Sequence, residues 1–311
     1  MANEIHVRQN DPYSLELLAS QRHLYSRAKL LRVAELLITF GLVPLGSAIA
    51  TAVRWLWPDG VAPDYIVGLS GMAGLASVFI LGTLVKGKMG TAAKMQEMFD
   101  CHVLSLTWNR HLAASEIAPE LVKRHSGAFV KAGGSIDSLR DWYAGEFHDI
   151  PLSPARLICQ RQSATWDQDL RSAYAAVLVW ACAVVIVLLL AFGILRGLTV
   201  LSFLVGVLFL AGPVLVFTIR EIKDNRDWMR GLRDSESLAN QAWQQAKTVG
   251  VETSELSEES RRIQDRIYLH RRSAALVLDK LYWHRRSRQE AESKYSVKRM
   301  VEEYKRAVQA P

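Results

Sequence analysis

The sequence predicts an all-α membrane protein: four transmembrane helices in two hairpins, with helical cytoplasmic extensions. Three observations predict this class. Charge-free apolar runs occupy residues 36–53, 65–85, 173–195 and 197–219, each long enough to cross a hydrocarbon core of about 30 Å as a helix. The spacing within these runs is helical, which excludes an outer-membrane barrel. Finally, 36 of the 38 Lys and Arg residues lie in the first, third and fifth non-membrane segments, while the two short connections keep only Arg54 and Arg196. The positive-inside rule then places both termini and the 86–172 loop in the cytoplasm. The mean hydropathy of +0.07 looks ordinary only because it averages two unlike populations.

The division that follows is a cytoplasmic N-terminal helix over 1–32, spans over 33–56 and 64–86, and a mostly helical cytoplasmic insert over 87–172. Spans over 173–195 and 197–219 come next, then a cytoplasmic helical region over 220–311. Asp11-Pro12 starts the first helix, a capping acid followed by proline at the first helical position. Gly41 and Pro44 predict a kink in the first span. Leu18, Arg22, Tyr25, Lys29 and Arg32 form one basic, aromatic-bearing face below the membrane. It suits either snorkelling toward headgroups or one wall of a cytoplasmic anion site.

The outward tip carries Trp55 and Trp57 at the interfacial level. Gly68, Gly71 and Gly74 in the second span allow close helix contact, within one subunit or between subunits. Val78 is expected to face lipid. In the insert, residues 91–100 read as an amphipathic helix and 102–108 as extended. Pro119 and Gly133-Gly134 bound a helix near 119–131. Ser153-Pro154 starts another helix, expected to run unbroken through Arg171 into the third span, and the third and fourth spans turn at 193–197. The fourth continues as a polar helix to about Thr248. Ile263, Ile267, His270, Ala274, Val277 and Leu281 form an a/d seam of nearly three heptads, suited to packing within the chain or to self-association.

Cys101, Cys159 and Cys182 are odd in number and lack CxxC spacing, so no disulfide framework is expected. Asp11, Glu16, Arg22 and Arg27 interrupt the first thirty residues, so no signal peptide is expected. The formal net charge of +7 is largely an orientation signal and an attraction to the anionic inner leaflet, about 1 kcal/mol per nearby base. It does not call for DNA or RNA. There is no P-loop, GxSxG, HExxH or dinucleotide-binding glycine pattern, and the eight histidines have no metal-ligand spacing. No catalysis, cofactor or metal is therefore expected. The spans lack the internal charges that mark ion or substrate paths, and Glu35 lies at the cytoplasmic end of the first.

One block stands out chemically. Arg156, Gln160, Asp167 and Arg171 share a helix face, with Arg161 and Trp166 beside it. Guanidinium groups fit phosphate, amides read base edges and an indole stacks on a base. The same composition also suits a juxtamembrane helix.

The segments Leu17–Lys29, Phe99–Asn109 and Cys159-Gln160-Arg161, with Trp166-Asp167 and Leu170-Arg171, resemble the SMODS-associated four-transmembrane effectors. These are predicted pore-forming proteins of bacterial cyclic-oligonucleotide antiphage (CBASS) systems, and the resemblance covers essentially the whole chain. It implies an inner-membrane effector coupled to a cyclic-nucleotide synthase. A cyclic di- or trinucleotide would switch it to a homo-oligomeric, bilayer-permeabilising state. The resemblance supplies no ligand-binding residues. The candidates therefore rest on physical grounds: Arg156, Gln160, Arg161, Trp166 and Arg171, with Arg22 and Lys29, for the nucleotide. Gly68, Gly71, Gly74, Ile263, Ile267, Ala274, Val277 and Leu281 are the candidates for packing and assembly. The other reading is a non-conducting membrane scaffold that docks a protein partner through the 263–281 seam.

Overall fold

The computed structural model describes residues 3–143, 145–165, 168–195, 209–249, 253–273 and 279–309. Within these, every regular element is helical: α1 (Ile5–Arg8), α2 (Pro12–Leu37), α3 (Val43–Leu56), α4 (Ala62–Val103), α5 (Arg110–Ala113), α6 (Pro119–Lys131), α7 (Leu152–Thr165), α8 (Gln168–Leu195), α9 (Phe209–Val249), α10 (Ser254–Ser273) and α11 (Asp279–Gln309). The chain divides into two compact units. One comprises 1–27, 88–170 and 227–311, the other 28–87 and 171–226. We call them the polar unit and the apolar unit.

In the apolar unit, a π-helical turn over Ile38–Leu42 separates α2 from α3, just ahead of Pro44. Proline cannot donate its backbone hydrogen bond, and the wider turn absorbs the loss. Among the described residues three stretches are long and apolar enough to cross a membrane, within Pro12–Leu56, Ala62–Val103 and Tyr174–Leu195. The fourth run lies mostly outside the described residues, as does the turn after Leu195.

These helices leave large apolar side chains uncovered: Leu69, Met72, Phe79 and Ile80 on α4 and Val187 and Leu188 on α8 are each more than 60% exposed. At about 1.5–3 kcal/mol per large apolar side chain removed from water, a lipid surround stabilises this surface strongly. Val78 departs from expectation. It is fully buried, because its turn faces neighbouring helices while Phe79 and Ile80 face outward.

Close approach here depends on missing side chains. A Cβ on Gly74 would sit 2.6 Å from Val43 Cγ2 and 2.9 Å from Pro213 Cγ, and one on Gly46 would sit 2.6 Å from Ser70 Cβ. Gly71 is buried. Gly68, by contrast, has open space where its Cβ would be. The small-residue face is thus used within one chain at Gly74 and left vacant at Gly68.

In the polar unit one core gathers Leu15 and Leu18 of α2, Met95 and Phe99 of α4, Leu157 and Ile158 of α7, Trp243 of α9, Ile263 and Ile267 of α10, and Val297 and Val301 of α11. α6 keeps its expected bounds, since Pro119 opens it and Gly133, at φ +86°, closes it. α4 persists to Val103 rather than yielding to an extended stretch at 102. Phe99 and Val103 both remain in the core, which rewards another helical turn. The chain then turns at Ser105 (φ 52°). α9 reaches Val249, close to the predicted end, and the Thr253 hydroxyl caps α10 by accepting the Leu256 amide at 3.2 Å. The passage from α7 into the third span cannot be followed at 166–167, which lie outside the described residues. Leu18 and Tyr25 pack into the core instead of facing headgroups.

Candidate functional site

Helix α7 is where the sequence places most of its ligand candidates. Two of them are spent on the fold. Arg156 is 3% exposed. Its Nε donates to the Leu104 carbonyl at 2.8 Å and its Nη2 to the Ser105 carbonyl at 3.3 Å. A cation thereby covers carbonyls that the end of α4 leaves without helical partners. Gln160 is fully buried. Its amide donates to the Ser260 carbonyl at 2.7 Å and to Gln264 Oε1 at 3.3 Å, and its own oxygen accepts the Ser260 hydroxyl at 2.9 Å.

The network continues inward from Gln264, whose Nε2 donates to Glu97 Oε2 at 2.9 Å and Asp100 Oδ2 at 2.8 Å. Two carboxylates on one face of α4 are expensive to bury unpaired. Each has a guanidinium: Arg261 lies 2.5 Å from Glu97, and Arg271 pairs with Asp100. The Tyr143 hydroxyl also donates to Asp100 at 2.6 Å. Burial first, and then Asp100, raise the Tyr143 hydroxyl well above its usual pKa. Burial would lower Arg271, but Asp100 more than offsets it, so the guanidinium stays charged. The thiol of Cys159 is likewise pushed well up by burial and then by Asp100. This arrangement fixes α4, α7 and α10 to one another through satisfied polar contacts.

Arg161 lies on the other side of α7 and is reachable from solvent. Its Nε donates to Asn240 Oδ1 at 2.9 Å and its Nη1 to the Ser296 hydroxyl at 2.7 Å, with Glu236 4.0 Å away. Beside it, Gln162 Nε2 donates to the Ser293 hydroxyl at 2.8 Å. Asn240, Ser296 and Ser293 are neutral partners from α9 and α11, and Glu236 of α9 is a charged one. Arg22 stacks its guanidinium 5.7 Å above the Trp142 ring. Lys29 belongs to the apolar unit, apart from the α7 candidates. Trp166, the Arg171 side chain, Ala274, Val277 and the Leu281 side chain lie outside the described residues. Ile263 and Ile267 are buried in the chain's own core, so that part of the seam is not a free surface.

A second polar cluster, not singled out by the sequence reading, sits in the apolar unit. Arg32 reaches Glu35 at 2.7 Å and Glu221 at 3.0 Å. Arg220 pairs with Glu35 and donates to the Val78 carbonyl at 2.5 Å, and the Tyr174 hydroxyl donates to Glu221 at 3.3 Å. Both guanidinium groups lie over the Phe217 ring, at 5.5 and 5.4 Å. Two positive and two negative groups thus join α2, α4, α8 and α9. The available signals were Arg32 and Glu35 one turn apart and Arg220-Glu221 adjacent. Nothing local showed that they would meet.

No solved structure matches this chain. A probable CBASS effector molecule of Bacillus cereus (strain VD146) is 23% identical over 276 residues, covering 87% of this chain and 89% of that protein. The SMODS-associating 4TM effector domain matches residues 3–300, nearly the whole chain and all of the helices that build both clusters. The chain belongs to the SMODS-associating 4TM effector family.

Proposed function

We propose that this protein is a CBASS membrane effector, switched by a cyclic di- or trinucleotide into a homo-oligomer that permeabilises the inner membrane. The observation that carries the reading is helix continuity: α4 and α9 each run unbroken from an apolar segment into the polar unit. Displacing their polar ends therefore moves their membrane portions. Both termini and the polar unit lie in the cytoplasm, beside the synthase that makes the ligand. The relative from Bacillus cereus, whose name is that of a probable CBASS effector, supports the same role.

In this proposal the nucleotide phosphates take Arg161 away from Asn240 and Ser296, loosening α7 from α9 and α11. Arg22 and Trp166 are further candidates, whereas Arg156 and Gln160 contribute by holding α7 in place. A ligand shifts an equilibrium only by its preference for one state, and about 5.5 kcal/mol moves 1:99 to 99:1. Two charge-assisted phosphate contacts at about 3 kcal/mol, or four at about 1.5 kcal/mol, suffice. The Arg32, Glu35, Arg220 and Glu221 cluster holds the apolar unit in its resting arrangement until then. A screen of cyclic oligonucleotides against the purified protein, with Arg161→Ala in parallel, tests the ligand. A ligand that binds wild type and Arg161→Ala equally removes Arg161 from the site.

A further inference from the structure

In the polar unit, α2, α4 and α6 bring five basic side chains together. His23 and His125 have ring centroids 5.5 Å apart with planes tilted by 33°. Arg27 and Lys88 act on His23, and Lys88 and Arg124 act on His125. The helices are held in this register by the Ser20 hydroxyl, which donates to the Val122 carbonyl at 2.7 Å.

Glu16, an acid of α2, is taken up by Lys123 of α6 at 2.8 Å. Arg27, Lys88 and Arg124 have no carboxylate partner among the described residues. Other bases of the same unit are paired, among them Arg161, Arg261 and Arg271. Like charges converging from three helices raise the local positive potential, and an anion bound there relieves it.

We propose that His23, Arg27, Lys88, Arg124 and His125 form a binding site for a phosphodiester anion, carried by a lipid headgroup or by a nucleotide. Guanidinium and ammonium groups supply charge and forked donors, and the two imidazoles supply ring N–H donors between them. Lys88 follows the second apolar run by only three residues along the unbroken helix α4, about 5 Å at 1.5 Å per residue, which suits a headgroup phosphate. The site shares no residue with the nucleotide contacts proposed at Arg161, so either can fail alone.

A pH signature follows. Burial, and then His23, Lys88 and Arg124, hold the His125 imidazole below its usual pKa. A bound phosphodiester opposes all three charges, raises that pKa and draws in a proton. Binding therefore tightens as pH falls through the histidine range. Uptake of one imidazole proton on binding makes binding roughly fivefold tighter near pH 6 than near pH 8.

The test uses the full-length protein in an uncharged detergent, titrated with short-chain phosphatidylglycerol, short-chain phosphatidylcholine and a cyclic dinucleotide at both pH values. The expected result is saturable binding of phosphatidylglycerol or the dinucleotide, at least fivefold tighter at the lower pH, with phosphatidylcholine weaker. Preference for phosphatidylglycerol assigns the headgroup source, and preference for the dinucleotide assigns the nucleotide source. Arg124→Gln changes an exposed residue and should weaken binding about tenfold, and His23→Gln/His125→Gln should abolish the pH dependence. Arg161→Ala should leave phosphatidylglycerol binding unchanged. Binding of neither anionic probe, or binding that Arg124→Gln and the paired histidine variant leave untouched, overturns the proposal.

Discussion

Gly82→Ala is the smallest change that reaches the charged cluster of the apolar unit. A Cβ at this position would lie within van der Waals contact of Arg220, 2.4 Å from Nη1 and 3.1 Å from Cζ. The guanidinium must move, and its Nη1 is the atom that donates to the Val78 carbonyl. Two charge-assisted contacts are at stake, to Val78 and to Glu35, each on the order of 1.5–3 kcal/mol. Arg220 is one-fifth exposed and can regain part of this from solvent, so the net loss is about 1.5–3 kcal/mol. That shifts the balance between resting and open states about tenfold to a hundredfold or more. It opposes the gain of about 1 kcal/mol in helix propensity from replacing glycine. The assay is dye release from reconstituted liposomes without nucleotide. Gly82→Ala should leak spontaneously, while Gly87→Ala, which has nothing within 4 Å of its new Cβ, should stay sealed. A folded Gly82→Ala variant that is sealed at rest and opens normally would refute the role of the cluster as a restraint.

Arg161→Ala should weaken nucleotide binding by about 1.5–3 kcal/mol with little change in melting temperature, as titration and thermal unfolding together would show. Asp100→Asn should do the reverse: it strands Arg271 as an uncompensated buried charge and should lower stability by about 3–5 kcal/mol, read as a depressed unfolding midpoint. Gly74→Leu should stop the apolar unit from packing, since even a Cβ meets Val43 and Pro213. It should lower folded yield in detergent, whereas Ile80→Leu on the exposed face of α4 should be silent. Gly231→Ala places its Cβ 1.5 Å from His270 Cε1, expelling that ring from between α9 and α10. A loss of about 1–3 kcal/mol is expected, and an unchanged unfolding midpoint would contradict it.

Local signals carried much of the architecture. Pro119 and Gly133 bounded α6 because proline and a left-handed glycine act through the backbone alone. The apolar runs marked the membrane helices because lipid rewards composition over roughly twenty residues. Side-chain roles were less legible. Arg156 and Gln160 have the chemistry of phosphate and base readers, yet the structure uses that chemistry on Leu104, 52 residues away, and Ser260, 100 residues away. A buried amide and an exposed one look alike until the partner is known. The Glu35–Arg220 pair spans 185 residues, beyond any periodicity argument. Val78 was misplaced because a uniformly apolar helix gives no amphipathic cue to which face meets lipid.

Nucleotide-gated permeabilisation is read as ion flux across liposomes holding the purified protein, with the activating cyclic oligonucleotide added to the face that bears the polar unit. Vesicles should stay sealed without nucleotide, release should rise steeply with protein density once it is added, and Arg161→Ala should lose the response. Vesicles that bind the nucleotide yet remain sealed at every protein density would contradict that gating.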